Sequence, residues 1–179
     1  MTFTNDEAGL LPADQREERL YAKLAELGIA FTTHAHEAVF TVEDARAARV
    51  DAFAGTHTKN LFLESRGGAL FLVAAREELR LDLNALARAL GVPRFSFGKA
   101  ELMAEILGIA PGAVSPFALI NDARARVRAV LDEGMLTQDP LNFHPLRNDR
   151  TTAIKAADLV RFLSAIGHEP LIMRLPERA

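Results

Sequence analysis

The sequence predicts a single α+β domain, and three observations support this prediction. The apolar runs of residues 59–65 and 69–75 flank the turn sequence Arg66-Gly67-Gly68, a pattern typical of a β-hairpin. Apolar residues at helical spacing occur elsewhere, most clearly in residues 156–168. The 179 residues contain no internal repeat and no linker, which favours one domain that mixes hairpins with helical segments.

The amino-terminal third is predicted to hold an arm, a helix, a strand and a short second helix. A flexible arm of residues 1–14 precedes the first helix, which Asp14 caps and Gly28 ends. Residues 29–36 are predicted to form the strand. Residues 41–44 have the spacing of a capping box, with Asp in place of the usual Glu or Gln, and predict the short helix.

The remaining elements follow the hairpin. Glycines end two further helices, at Gly91 and Gly108, and residues 156–168 form a helix with one apolar stripe. Residues 96–98 are predicted to be a short link between helices. The prediction totals roughly seven strands and five helices, and the strands after Gly108 are residues 126–132, 141–146, 151–155 and 169–176.

Composition excludes several classes of protein. The absence of cysteine removes disulfide frameworks, thiolate nucleophiles and zinc–thiolate sites. A net charge of −3 and the lack of a basic recognition helix argue against a DNA-binding protein, although a small local patch can still bind one end of an RNA. The polar amino terminus and the lack of a long apolar run predict a cytoplasmic protein without a signal peptide or membrane span.

The familiar cofactor and metal motifs are also missing. The sequence has no GxGxxG, Walker or GxSxG motif, so dinucleotide, nucleoside triphosphate and serine-hydrolase sites are not indicated. Five histidines show no HExxH-type spacing. His34 and His36 could chelate a metal as a strand pair, but surface histidines at a strand end are several times more common.

Lys59 begins a strand that is otherwise apolar on both faces. At a period of two, Lys59 shares one face with Leu61 and Leu63, whereas Asn60 shares the other face with Phe62. Lysine is among the residues least often buried, so its ammonium either reaches to water or is held for a ligand. The pattern alone slightly favours the first interpretation, and Asn60 could either dock a ligand or fix the turn.

Two other segments carry candidate chemistry. Pro111 and Pro116 bracket four small residues, and such a bare backbone lets amide N–H groups approach a carbonyl or phosphate oxygen, although it is equally typical of a plain connector. His144 could move a proton or donate a hydrogen bond, but a structural histidine bonded to the backbone is more common. Asp149 lies in a polar turn, where it could fix the neighbouring loop.

Several segments, in order, resemble one family. They are GTHTKNLFL, SFG, LGIAPGAVSPFALIND, VRAVLD, LNFHPLRNDRTTAI and DLVRFL. The resemblance is to the free-standing prolyl-tRNA editing deacylases, which are related to YbaK proteins and to the editing insertion domain of bacterial prolyl-tRNA synthetases. It covers about residues 15 to 175, so residues 15–179 are taken as one YbaK-like domain. The segments TKNL and NFHPL are most similar to the branch that removes alanine from the tRNA for proline.

The resemblance implies a fold, a reaction and a site. The fold is a curved mixed sheet, partly barrel-like, surrounded by helices. The reaction is hydrolysis, in trans, of the ester between a wrong amino acid and the tRNA 3′ end, with alanine on the tRNA for proline as the expected substrate. Water is the expected nucleophile, without metal or cofactor, and the noncognate residue (alanine, serine, glycine or cysteine) and a role for the vicinal ribose hydroxyl stay open. The catalytic residues implied are Lys59, Gly112 and His144, and the substrate-binding residues are Asn60, Ser115, Pro116, Phe117, Asn121 and Asp149.

The resemblance also implies partners and leaves one alternative. The 3′ end of tRNA is the expected partner, prolyl-tRNA synthetase stays open as a second, and neither DNA nor a membrane is expected. A module of the same fold that binds an aminoacyl-tRNA or a partner without hydrolysing the ester would share the same motifs.

Overall fold

The computed structural model describes residues 9–38, Glu43 and residues 54–179, which contain four α-helices and eight β-strands. The helices are α1 (Ala13–Glu26), α2 (Leu83–Ala89), α3 (Ala100–Leu102, continued by a π-helical turn at Met103–Leu107) and α4 (Ala156–Ala165). The strands are β1 (Phe31–Ala35), β2 (Thr56–Ser65), β3 (Leu70–Arg76), β4 (Phe95–Phe97), β5 (Val127–Asp132), β6 (Leu141–Phe143), β7 (Arg150–Ile154) and β8 (Leu171–Met173). Short 3₁₀ helices lie at Pro116–Asn121 and Met135–Thr137. None of these helices is long and apolar enough to span a membrane.

The strands form one mixed sheet in the order β1-β7-β6-β2-β3-β5-β8, with β4 added beside β2. Antiparallel β3 pairs along one edge of β2, while parallel β6 and antiparallel β4 pair with opposite ends of its other edge. Within the described ranges the path runs from β1 to β8 without closing. The predicted α+β class and curved mixed sheet are confirmed, and the sheet is open rather than a closed barrel.

Strand β3 is apolar at nearly every position because both faces of the sheet are covered. A first cluster, which includes Phe62 and Phe117, packs α1 and α4 on one face, and a second, which includes Leu63 and Leu79, packs α2 on the other. Alternate β3 residues therefore point to different clusters. Leu70, Leu72 and Ala74 belong to the first cluster, and Phe71, Val73 and Ala75 belong to the second.

The predicted link at residues 96–98 is wrong, because Phe95–Phe97 forms strand β4. Its three residues pair with the end of β2, where Phe97 lies opposite Leu63. Gly98 then turns the chain against Phe62, and its N–H donates to the Phe62 carbonyl at 2.8 Å. A Cβ at Gly98 would lie 2.3 Å from Cδ1 of the buried Phe62 ring, so the SFG segment needs a residue without a side chain.

The predicted helices agree with the structure at their ends more often than at their starts. Gly28 follows α1 with a φ of +65°, and Gly108 follows the π-helical turn with a φ of +61°, as expected of glycine at a helix end. The predicted N-cap at Asp14 is wrong, because α1 begins at Ala13 after Pro12, and Asp14 lies inside the first turn. Apart from Glu43, the predicted capping box at residues 41–44 lies outside the described residues.

Helix α1 is tied to the far end of the chain by a network of ion pairs. Glu17 is 4% exposed, and its carboxylate accepts hydrogen bonds from Arg147 at 3.0 Å and from Arg150 at 2.8 Å. Two nitrogens of Arg147, Nε and Nη2, donate hydrogen bonds to the carboxylate of Asp149. A third, Nη1, donates to the carboxylate of Asp14. Because a buried carboxylate is costly unless it is paired, Glu17 makes the docking of α1 depend on both arginines.

We expect Gly98→Ala to lower the free energy of unfolding by about 1–3 kcal/mol, because the added methyl group overpacks the Phe62 ring. Gly67→Ala is the matched control, since a Cβ there would meet nothing closer than 3.8 Å and should change stability by less than about 0.5 kcal/mol. Urea denaturation of both variants makes the comparison. Equal stability of Gly98→Ala and the wild type would contradict the close contact.

Stability at acid pH should depend on Asp149. The hydrogen bonds from Arg147 hold the pKa of Asp149 below its ordinary value of 3.8. The ionised carboxylate therefore contributes stability above pH 3.8 that is lost as the pH falls through the lower pKa of the folded state. We expect Asp149→Asn to lose less stability than the wild type over this acid range, measured as the urea midpoint against pH. If the urea midpoints of the two proteins fell in parallel with pH, the Asp149–Arg147 pair would not contribute to stability.

Candidate functional site

The side chains of the predicted site residues Lys59 and Asn60 lie on opposite faces of β2. Lys59 lies on the face of the second cluster, where its ammonium donates a hydrogen bond to the backbone carbonyl of Leu79. Asn60 lies on the face of the first cluster, two residues before the buried ring of Phe62. Lys59 is partly buried, and its ammonium contacts a backbone carbonyl oxygen.

Asn60 belongs to a short polar chain that the sequence did not reveal. Its Nδ2 lies 3.3 Å from the Thr58 hydroxyl oxygen, and this hydroxyl lies 2.7 Å from the backbone carbonyl of Asn142 on β6. The Oδ1 atoms of Asn60 and Asn142 are both buried and have no hydrogen-bond partner in the described part of the chain. Thr58 is two residues from Asn60, so alternation along the strand was the only available signal for it.

The Gly112 loop is fixed by the residues that follow it. Gly112 has a φ of +91°, a conformation that favours glycine, and the loop is closed by a hydrogen bond from the Ala113 N–H to the Ala110 carbonyl at 3.2 Å. The buried Ser115 hydroxyl then accepts from the Phe117 N–H at 3.1 Å and caps the 3₁₀ helix. These two hydrogen bonds fix the residues on the carboxy-terminal side of Gly112.

Pro116 and Phe117 complete this anchor from inside the core. Phe117 is fully buried, and its ring makes edge-to-face contacts with two other rings. The distance between ring centroids is 5.7 Å to Phe143 and 5.6 Å to Phe162. Pro116 occupies the first position of the 3₁₀ helix, where its missing N–H costs nothing. Both residues place the loop on the face of the first cluster, the same face as Asn60, and their predicted contact with substrate stays a prediction.

Two other predicted substrate-binding residues have structural partners. Asn121 donates through Nδ2 to the Leu107 carbonyl at 2.9 Å, which satisfies a carbonyl at the end of the π-helical turn. Asp149 is paired with Arg147 in the network that docks α1. Their predicted roles in substrate binding are separate from these contacts and stay predictions.

His144 is oriented by the backbone. Its Nδ1 lies 2.8 Å from the Arg150 carbonyl, which can only accept, so Nδ1 carries the proton and a neutral ring has its lone pair on Nε2. His57 is paired with Asn142 across β2 and β6, and His144 follows directly after β6, which ends at Phe143. Among the predicted site residues, Asn60 and the Gly112 loop therefore lie on the face of the first cluster, and Lys59 lies on the face of the second.

The described residues contain no group of three or more His, Asp or Glu side chains that could hold a metal ion. The ring nitrogens of His36 lie 2.7 Å from the Glu37 carbonyl and 2.9 Å from the Thr151 hydroxyl. These contacts fit a histidine that fixes the end of β1 rather than a metal ligand paired with His34.

Comparison with known proteins gives consistent results. Residues 36–162 match the model of the aminoacyl-tRNA editing domain. The chain is 38% identical over 168 residues to a zebrafish (Danio rerio) protein, "Prolyl-tRNA synthetase associated domain-containing protein 1", and the match covers 93% of this chain and 90% of that protein. It is 31% identical to "Prolyl-tRNA editing protein ProX" of Acetoanaerobium sticklandii, over 85% of this chain and 93% of that one.

A solved structure supports the fold. A crystal structure of a proposed trans-editing enzyme for prolyl tRNA synthetase superposes with a TM-score of 0.71 and 22% identity, covering 94% of this chain and 99% of the other. The family model spans Lys59, the Gly112 loop and His144. This chain belongs to the aminoacyl-tRNA editing domain family.

Proposed function

We propose that the protein hydrolyses, in trans, the ester between a wrong amino acid and the 3′ end of tRNA, with alanine on the tRNA for proline as its main substrate. The observation that carries this proposal is the editing-domain match over residues 36–162, together with the similarity to a protein named as a prolyl-tRNA editing protein. The similarity of the segments TKNL and NFHPL to the alanine-clearing branch supports alanine as the amino acid.

Lys59 is proposed to supply the positive charge of the reaction. Ester hydrolysis by water builds negative charge on the carbonyl oxygen, and a fixed cation in a partly buried site stabilises that charge more than it would in bulk water. The Leu79 carbonyl holds one of the three ammonium N–H groups, which restricts the position of the charge. Lys59 and the Gly112 loop lie on opposite faces of β2, so where the loop amides hold the ester carbonyl the Lys59 cation binds the 3′-terminal phosphate.

The Gly112 loop is proposed to bind the ester carbonyl through backbone amides. A positive φ at Gly112 and an anchor buried behind it give a rigid backbone without bulky side chains. Such a wall suits a small amino acid such as alanine, and its shape would exclude the ring of the cognate proline. His144, with its lone pair on Nε2 in the neutral form, would accept a hydrogen bond from the attacking water or the vicinal ribose hydroxyl.

A binding module without activity is the second candidate. The zebrafish relative is named for its association with prolyl-tRNA synthetase and not for a reaction. Such a module would hold the aminoacyl-tRNA end, or the synthetase, at the same residues. Single-turnover release of alanine from Ala-tRNA for proline by the purified protein separates the two candidates.

We expect Lys59→Ala to lower the deacylation rate of Ala-tRNA by about 100-fold or more, because the charge at the carbonyl or phosphate oxygen is lost. Lys59→Arg should also be poor, since a planar fork does not replace a compact point charge. Lys23→Ala is the control, because Lys23 forms a surface pair with Glu26 on α1. Full activity of a folded Lys59→Ala variant would remove Lys59 from the site.

The proposed role of the Gly112 loop is tested by the selectivity of deacylation among different aminoacyl-tRNAs. We expect Gly112→Val to reduce deacylation of every aminoacyl-tRNA without creating a new preference, because the side chain strains the backbone and covers the carbonyl site. The measurement is the deacylation rate of Ala-tRNA and Pro-tRNA, both on the tRNA for proline. Comparable wild-type rates on the two esters would contradict exclusion of proline by shape.

Gly167→Val controls for strain alone. Gly167 has a similar φ of +85° and lies after α4, and a Cβ added to it would meet nothing within 4 Å. We expect both valine variants to be destabilised, but only Gly112→Val to lose activity at a temperature where both are folded. An equal loss of activity in the two variants would assign the effect to stability.

A further inference from the structure

The Thr58 hydroxyl determines which way the Asn60 amide faces. A hydroxyl has one proton, and the backbone carbonyl of Asn142, at 2.7 Å, can only accept it. Towards Asn60 the same hydroxyl must therefore accept, so the atom that faces it at 3.3 Å is the Nδ2 donor of Asn60. The opposite orientation of the amide would place two acceptors together, with no proton between them.

This orientation leaves Asn60 with an acceptor to offer. Its Oδ1 is buried and finds no donor among the described residues. A buried polar atom without a partner is costly, and such atoms in native proteins commonly mark a place for a ligand or a bound water. Oδ1 lies on the face of the first cluster, which also carries the Gly112 loop.

We propose that Thr58 is a positioning residue that fixes Asn60 with Oδ1 directed away from the Thr58 hydroxyl, and that Oδ1 accepts a hydrogen bond from a donor of the aminoacyl end of the substrate. This inference rests on the proposed function, which supplies the ester. The ester carbonyl and the phosphate are acceptors and cannot pair with Oδ1, whereas the α-ammonium and the ribose hydroxyls can. The α-ammonium is the better fit, because a charge-assisted bond is about twice as strong as a neutral one.

The inference assigns the two ends of the aminoacyl group to different partners: hydrogen-bond donors of the protein bind the ester carbonyl, and a hydrogen-bond acceptor binds the ammonium. Backbone N–H groups of the Gly112 loop are donors and suit the ester carbonyl, but they cannot hold an ammonium. Asn60 supplies the acceptor that the loop lacks. Thr58 acts through Asn60 and touches no reacting atom, so its loss should weaken recognition of the ammonium and leave the chemical step intact.

The test measures binding of adenosine analogues in which a stable amide replaces the ester. The first carries a 3′-alanylamino group, the second a 3′-propionylamino group that lacks the ammonium, and the third is the alanyl analogue without the 2′-hydroxyl. Their dissociation constants are measured by titration for the wild type, Thr58→Val, Thr58→Ser and Thr56→Val. Thr56 is the matched control, because it lies on the same face of β2 and its hydroxyl makes no such bond to the described residues.

We expect the wild type to bind the alanyl analogue about 10-fold more tightly than the propionyl analogue. Thr58→Val should reduce this preference towards equality, whereas Thr58→Ser, which keeps the hydroxyl, and Thr56→Val should retain it. If Thr58→Val instead removes a preference for the 2′-hydroxyl, the donor is the ribose and the positioning role is upheld. If Thr58→Val changes neither preference, or if Thr56→Val has the same effect, the inference is overturned and Oδ1 binds water only.

Binding and hydrolysis together separate this inference from the proposed function. A wild-type protein that shows the Thr58-dependent preference but releases no alanine from Ala-tRNA would contradict the enzyme and keep the recognition site. A protein that hydrolyses Ala-tRNA without a Thr58-dependent preference would keep the enzyme and contradict the site. In the active protein, Thr58→Val should raise KM for Ala-tRNA with little change in kcat, and an unchanged KM would contradict the role of Thr58.

Discussion

Strand β2 is the element on which the rest of the molecule depends. Its ten residues pair with β3 along one edge and with β6 and β4 at opposite ends of the other, so both edges are hydrogen-bonded. Its two faces support the two apolar clusters. A polar residue within such a strand has a fixed direction, and this is why the neighbouring side chains of Lys59 and Asn60 face different surroundings.

The ion pairs that dock α1 include one residue of the predicted site. Arg147 pairs with Glu17 and with Asp149, which joins α1 to the turn before β7. Lys59 donates a hydrogen bond to the Leu79 carbonyl. A cation in such a partly buried site acts on a developing oxyanion more strongly than it would in bulk water.

Sequence patterns correctly predicted the elements whose conformation is determined by a few neighbouring residues. Glycines ended helices where they were expected, and the hairpin at residues 66–68 was correct, because turn chemistry is encoded within a few residues. Strand β4 was missed because three residues have no visible period and become a strand only by pairing with β2. Asp14 was misassigned because its carboxylate goes to Arg147, a partner 133 residues away.

For the candidate site too, the sequence indicated residues with a local signal and missed those whose role depends on a distant partner. The sequence marked Lys59 and Asn60 because polar residues are conspicuous in an apolar strand, and the family resemblance marked the Gly112 loop and His144. It did not mark Thr58 or the backbone carbonyl of Asn142. A threonine in a strand is unremarkable, and the contact that gives it a role joins residues 84 positions apart.

The ion pairs of Glu17 also impose an order on synthesis. Arg147 and Arg150 follow Glu17 in the chain by 130 and 133 residues. At ribosomal rates of about 5–20 residues per second, helix α1 waits roughly 7–26 s for the arginines that its buried carboxylate needs. During that interval Glu17 stays hydrated, and the apolar stripe of α1 is exposed to chaperones. Helix α1 is thus synthesised long before the arginines that complete its ion pairs.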